Sequence, residues 1–396
     1  MSDSATGVLI VGGGAAGHAC AAKLRTQGFD GPVRVLDAEP DRPINRTLVD
    51  TGVLPGLLTP EQIQLHPVAG VDLIAGRAVG LNMARRNVTL ADGRELRADA
   101  LVLASGSVPR GLGPATTVAR GSRVYQLHTA ADALALRAAL PDPARTRIAI
   151  LGSGFIGAEV ASHFSAAGSQ VLLLGRSAQP LRAAVGRRIA EQLAELHRDR
   201  VDARFGSDLV AVEPGRGARA VTLTLGDGTR EDVDALVVAQ GTVPATDWAQ
   251  VAGGIRVDLA LRVVGATSVY AAGSAAVLSI DGSPMRIDHW DDAAAQGAHA
   301  ARTILHDLQG AEDPGAYLPR SGFTLQVYGT VIAARGIRPA QGSERDAAAA
   351  LELEPSFRPE GLLTEHLHRD GSRAGVAGYN AGAALVRLAA GIGSGA

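Results

Sequence analysis

The 396-residue chain has one cysteine, Cys20, and one lysine, Lys23. A single thiol excludes an active-site dithiol within the chain, and with it disulfide-reductase chemistry. It also excludes a cysteine-ligated iron–sulfur cluster within the chain. Cys20 falls in the first expected helix and reads as a small core residue. With one lysine, nearly all the cationic charge is arginine, which reads as a bias of composition. There is no basic surplus, the net charge being −2, so the balance does not point to nucleic acid. No apolar run reaches the roughly 18 residues that would suggest a membrane span. Residues Met1–Thr6 are not basic and do not resemble a signal peptide. A cytoplasmic protein of two or three domains is expected.

Against these absences stand two glycine-rich runs about 140 residues apart: Gly12-Gly13-Gly14-Ala15-Ala16-Gly17 and Gly152-Ser153-Gly154-Phe155-Ile156-Gly157. Each follows a short apolar strand, 7–11 or 148–151, and each opens a helix, to about Gln27 or Ala167. One such run is weak evidence, whereas two in strand–turn–helix context imply two dinucleotide-binding units. In the first run, Gly12 permits the tight turn, Gly14 lets the backbone approach a pyrophosphate, and Gly17 lets helix and strand pack closely. The helix start then offers free N–H groups and a positive dipole end to the phosphates. A second strand, Val33–Leu36, leads to Asp37 and Glu39, either of which can accept from a ribose hydroxyl.

Residues 40–67 are rich in proline and read as loop. The run Arg86–Leu90, Asp92-Gly93, Leu101–Ala104, Ser105-Gly106-Ser107-Val108-Pro109 is mirrored by Thr222–Leu225, Asp227-Gly228, Leu236–Ala239, Gly241-Thr242-Val243-Pro244. Small residues and glycine after a strand, as at Ser105-Gly106 and Gly241, suit contact with a nucleotide. The chain therefore reads as an internal duplication. A helix is expected up to Leu308. Residues 320–390 alternate strands and turns, ending in a small-residue helix over 381–390, with a mobile tail over 391–396. His366 and His368 lack a third metal-ligand partner and read as a solvated strand–turn, and no metal site is expected.

The order and spacing of these runs resemble the ferredoxin and rubredoxin reductase family of FAD-dependent NAD(P)H oxidoreductases. Further support comes from Leu24-Arg25 with Gly28–Gly31, Glu39-Pro40 with Pro43 and Arg46, Tyr270–Gly273, and His289-Trp290 with Ala294 and Gln296-Gly297. The resemblance covers nearly the whole chain. It implies an α/β fold with two Rossmann-like dinucleotide-binding domains and a smaller α+β C-terminal domain. A split FAD domain would take 1–113 and 245–312, the NAD(P)H domain 114–244, and the C-terminal domain 315–396. Toward FAD the resemblance assigns Gly12, Gly14, Ala16, Gly17, Asp37, Glu39 (the better family match of the two acids), Arg46, Val79 through its backbone, Ser105, Gly106 and Gly273. Toward the nicotinamide nucleotide it assigns Gly152, Gly154, Ile156, Gly157 and Gly241. His289 and Trp290 fall where the family lines the flavin edge and the nicotinamide side. Apart from its backbone role, Val79 reads as a core valine.

The departures concern charge. A family Ser-Lys pair, whose lysine touches the flavin, aligns with Asp50 and Thr51. A family arginine that contacts FAD aligns with His128, and the aspartate of its Ala-Gly-Asp run aligns with Ser274. A C-terminal aromatic pair is not kept in 319–324. Glu159, Thr51 and Trp290 are the catalytic candidates by resemblance. The family's glutamate–lysine pair cannot form with Thr51 opposite Glu159, which leaves Glu159 as a buried acid of raised pKa or a dipole-supported helix residue. No acid follows the second unit's strand, which ends Leu174-Gly175-Arg176-Ser177. NAD-preferring relatives often carry an acid there, and Arg176 with Ser177 suits a 2′-phosphate instead, favouring NADPH over NADH.

The implied activity passes a hydride from NAD(P)H to FAD and then electrons to a ferredoxin-like iron–sulfur protein, in a monomer or homodimer. Two other readings keep the fold. One is a nucleotide-sensing or partner-binding protein with weakened or lost FAD binding. The other is a flavoenzyme acting on a small molecule in specialised metabolism.

Overall fold

The computed structural model describes residues 7–39, 42–215, 219–320, 322–347 and 361–392. Pro40 and the tail beyond residue 392 lie outside the described residues. The chain divides into two compact units, one of Met1–Arg46, Ile63–Val108 and Val243–Ser321, the other of Thr47–Gln62, Pro109–Thr242 and Gly322–Ala396. Thr47–Gln62, grouped by the sequence reading with the first cofactor domain, packs in the second unit.

The first unit is built on a five-stranded parallel sheet in the order Val269–Ala271, Ala100–Leu103, Val8–Val11, Val33–Asp37, Asp72–Ala75. Val8–Val11 and Ala100–Leu103 are buried throughout, as expected of strands covered on both faces. Helix Ala15–Thr26 packs on this sheet and against helix Trp290–Gln309. The close approach depends on Gly297, where an added Cβ would lie 1.9 Å from the Ala16 carbonyl oxygen. Cys20 is buried in this core and burial pushes its thiol up to about 12, so it is an inert packing residue. Val79 departs from the core reading: it lies on strand Ala78–Asn82 and is 50% exposed.

The second unit repeats the plan. Its parallel sheet runs Val124–Tyr125, Ala235–Val238, Arg147–Leu151, Gln170–Gly175, Asp202–Phe205. The two sheets share strand order around their central strands, which is the duplication expressed as topology. The same unit carries an antiparallel sheet of Gly322–Val327, Thr330–Gly336, Arg373–Tyr379, Leu362–Leu367 and Ser343–Asp346, followed by helix Gly382–Ala389. The mixed α/β class with two Rossmann-like folds and an α+β C-terminal part is thus observed.

His366 overturns the solvated strand–turn reading. It lies on Leu362–Leu367, a strand buried along nearly its whole length, and is 1% exposed. Both ring nitrogens lack a partner, and burial lowers its pKa to about 4. Its neighbour Glu365 is buried too and bonds Arg345 at 2.6 Å and Arg373 at 2.6 Å.

Candidate cofactor site

Each glycine run makes the same two close approaches. Gly12 has φ +104° and Gly152 φ +118°; a Cβ there would meet the carbonyl oxygen of Ala104 or Ala239 at 2.2 or 2.1 Å. A Cβ on Gly17 or Gly157 would lie 1.8 Å from the Gly12 or Gly152 carbonyl oxygen. Gly14 and Gly154 differ: nothing lies within 4 Å of an added Cβ at either position. Both are helix N-caps without a side-chain cap, and neither helix has an acid in its first turn. Open space, uncapped N–H groups and a positive dipole end together fit the pyrophosphate of a dinucleotide at each turn. Ala16 and Ile156 lie on the first turns of these helices.

Asp37 does not stand free at the end of its strand. Its Oδ2 accepts from the Gly13 N–H and its Oδ1 from the Glu39 N–H at 2.8 Å, so it holds the first turn to the second strand. Glu39 accepts from Arg46 at 2.7 Å. The ribose-acceptor pair of the sequence reading is therefore one loop-positioning acid and one arginine-held acid.

A buried network sets the Gly273–Ser274 turn. Gln296 is 1% exposed; its Oε1 accepts from the Gly273 N–H at 2.8 Å and its Nε2 donates to Asp292 at 2.6 Å. The Tyr317 hydroxyl donates to the other Asp292 oxygen at 2.7 Å. Gly273 has φ +71°, and its Cβ position would lie 2.9 Å from Ala16 Cβ. The Ser274 hydroxyl donates to Asp288, as does Ser107, and Arg286 pairs with Asp288 at 3.3 Å. The carboxylate missing at 274 is thus supplied in contact with it by Asp288, two residues before Trp290. His289 caps the helix that Trp290 begins; it is half-buried, and burial lowers its pKa. The Ser105 hydroxyl donates to the Ala245 carbonyl at 2.8 Å, and Gly106 has φ +71°. In the second unit, Gly241 has φ +83°, and its carbonyl accepts from Arg110 N–H at 2.9 Å.

The loop read from its prolines contains a π-helix, Val49–Val53, in which the Leu54 N–H donates to the Val49 carbonyl at 2.9 Å. Single π-turns recur at functional sites. Here the turn directs Asp50 inward and Thr51 outward. Asp50 is 7% exposed, and its side chain hydrogen-bonds to Glu159. Thr51 is exposed and donates to the Thr47 carbonyl at 2.6 Å. The residue facing Glu159 is therefore Asp50 and not Thr51, as the alignment had suggested. Burial raises both carboxyl pKa values, and the negative charge of Asp50 raises that of Glu159 further. His128 precedes helix Ala130–Ala139; its backbone N–H donates to Asp132 at 3.1 Å, beside the Thr129–Asp132 capping box.

At the end of the second unit's second strand, Gly175 is a packing requirement. A Cβ there would meet Ser153 Oγ at 2.7 Å and Phe205 Cδ1 at 2.9 Å, so no acid fits at that position. Arg176 and Ser177 are exposed just beyond it, with Ser177 Oγ donating to the Gln179 carbonyl at 2.9 Å.

The sequence reading passed over Asp288, Asp292, Gln296 and Tyr317 as site residues. Gln296 lay inside a quoted run, but its partner Gly273 comes from another segment.

Two dinucleotide turns of this kind in one chain define a two-nucleotide oxidoreductase. The model of the pyridine nucleotide-disulphide oxidoreductases matches residues 6–297, and the chain belongs to that family. It is 32% identical over 386 residues to a chlorobenzene dioxygenase ferredoxin reductase component of Cupriavidus sp. (strain PS12), across 92% of this chain and 90% of that protein. It is 31% identical to the ferredoxin–NAD(+) reductase component of an anthranilate 1,2-dioxygenase system of Burkholderia cepacia, across 80% and 79%. A covalent putidaredoxin reductase–putidaredoxin complex shares the fold, with a TM-score of 0.82 at 24% identity over 97% of this chain and 92% of that one. The chain is an NAD(P)H-dependent flavin oxidoreductase that uses FAD, and with Cys20 alone it works without the redox disulfide of the family's name.

Proposed function

We propose that this chain is a ferredoxin reductase: it takes electrons from NAD(P)H and delivers them to a small iron–sulfur protein. The observation that carries this reading is the pair of open glycine positions, Gly14 and Gly154, each at an uncapped and acid-free helix start. The relatives named as ferredoxin reductase components support the acceptor class. FAD belongs to 1–113 and 245–312, NAD(P)H to 114–244, and 315–396 forms the third domain. The same reading places the protein in the cytoplasm, where NAD(P)H is supplied.

When bound, FAD would supply the hydride-accepting and single-electron-releasing chemistry. The residues of the chain bind and orient. Gly12, Gly14, Ala16 and Gly17 receive one pyrophosphate, and Gly152, Gly154, Ile156 and Gly157 the other. Glu39, held by Arg46, accepts from the adenosine ribose, while Asp37 fixes the turn. The Val79 backbone borders the adenine; Ser105, Gly106 and His128 contact FAD farther along. Ser274 with Asp288 provides the polar anchor near Gly273. His289 and Trp290 border the flavin, and Gly241 lies on the nicotinamide side with Glu159. Arg176 and Ser177 receive a 2′-phosphate, favouring NADPH.

The test is an absorption spectrum of the purified protein before and after NADPH, with ferricyanide reduction compared for NADPH and NADH. A colourless protein that binds no added FAD would overturn the proposal.

A further inference from the structure

Two carboxyl groups in hydrogen-bond contact require a proton between them, because ionised carboxylates are acceptors only. Asp50 and Glu159 make such a contact, and Asp50 Oδ2 is buried without a partner. The surroundings supply no cation to replace that proton. The π-helix contributes only Asp50 as a titratable group. Helix Ala130–Ala139 contributes Asp132, held in the capping box, and Arg137, which donates to the Val53 carbonyl at 3.2 Å and lies near His163. Helix Phe155–Ala166 adds His163, whose pKa is lowered by burial and by Arg137. Strand Gly322–Val327 carries no titratable side chain, and the central strands carry only Arg147, paired with Glu231 at 2.6 Å. Among the described residues, neither carboxyl has a cationic partner.

Glu159 is also the fifth residue of the helix whose start forms the second glycine turn. At 1.5 Å of rise per residue, it lies roughly 6 Å along the axis from the first helical N–H groups. A dinucleotide pyrophosphate brought to that start adds negative charge close to the pair.

We propose that the Asp50–Glu159 carboxyl pair holds one proton at neutral pH and that retention of this proton is linked to nicotinamide-dinucleotide binding at the Gly152–Gly157 turn. With the proton present, the pair carries one negative charge. Once it is lost, the pair carries two and opposes the incoming phosphates. Binding the dinucleotide therefore strengthens the hold on the proton, and losing the proton weakens the dinucleotide.

The inference rests on the proposed use of this turn for NAD(P)H, so its test has one arm that needs no nucleotide. Infrared spectroscopy of the nucleotide-free protein at neutral pH should show a protonated-carboxyl C=O signal that disappears in both Asp50→Asn and Glu159→Gln. Absence of that signal in the wild type, or its persistence in both variants, overturns the shared proton. In the second arm, NADPH affinity is titrated by fluorescence between about pH 6 and about pH 10. The wild type should weaken by about tenfold or more toward high pH. Asp50→Asn, which serves as the control for titration of the 2′-phosphate itself, should lose that decline. A wild-type profile that matches Asp50→Asn overturns the linkage. Failure of the wild type to bind NADPH at any pH overturns the linkage and the oxidoreductase reading together, while the infrared arm still decides the pair.

Discussion

The Ser274 hydroxyl donates to the Asp288 carboxylate, and Ser107 donates to the same group from the strand Ser107–Pro109. A serine stands where the family resemblance calls for an aspartate, yet the carboxylate is kept one side chain away.

This relationship predicts a charge relocation. Asp288→Ser should lower FAD affinity by at least about tenfold, the cost of losing one charge-assisted hydrogen bond. Ser274→Asp alone should also weaken FAD, because it sets two carboxylates in contact. The double exchange, Ser274→Asp with Asp288→Ser, should return to within about threefold of the wild type. Quenching of FAD fluorescence on binding measures all three; unchanged affinity in Asp288→Ser would show that the carboxylate has no part in holding FAD.

The glycines of one turn should separate by mechanism. Gly14→Ala has open space, so its melting temperature should stay within a few degrees while FAD affinity falls by about tenfold or more. Gly17→Ala drives a methyl group into the Gly12 carbonyl and should destabilise the fold by several kcal/mol. Thermal melts of the apo proteins distinguish the two; equal loss of stability would sink the distinction.

Arg176→Gln should lower kcat/KM for NADPH by about 10–100-fold and leave NADH within about threefold. Because Gly175 leaves no room for an acid, Gly175→Asp should not confer NADH preference but should disturb the packing of Ser153 and Phe205. Steady-state kinetics with both nucleotides decide this, and equal losses for NADPH and NADH in Arg176→Gln would remove the 2′-phosphate role.

Two buried histidines should govern acid stability. His197 and His366 are both lowered to about 4 by burial, from 6.5. The unfolded chain takes up protons at these residues before the folded chain does. Their contribution is therefore present above pH 6.5 and is lost progressively as pH falls through 4. Each accounts for roughly 3 kcal/mol of this acid sensitivity. His366→Phe, where the ring nitrogens have no partner to lose, should flatten the urea-midpoint profile between about pH 6 and about pH 4. A profile as steep as the wild type would show that His366 is not protonated on unfolding.

The glycine turns were legible because their constraint is mostly local. Gly17 meets Gly12 within one turn of chain, and the strand before and helix after are visible as apolar runs. The duplication was legible for the same reason, each βαβ unit being written continuously. His366 was misread because alternation along a strand reveals burial only when one face is solvated. Here the strand is covered on both sides, with Leu363 among the residues of helix Gly382–Ala389 and His366 beside Gly186. Thr51 was misplaced opposite Glu159 because one residue of π-helical geometry decides which of two neighbours points inward, and composition carries no sign of it.

By itself, the sequence determined the number of nucleotide turns, the class of fold around them, and the exclusion of dithiol chemistry. These follow from backbone sterics and from counting thiols. Only the tertiary structure decided where charge resides: Asp288 beside Ser274, Asp50 against Glu159, Asp37 bound to its own turn. Charge acts through space, and Asp50 and Glu159 lie more than a hundred positions apart in the chain, so folding alone brings them into contact.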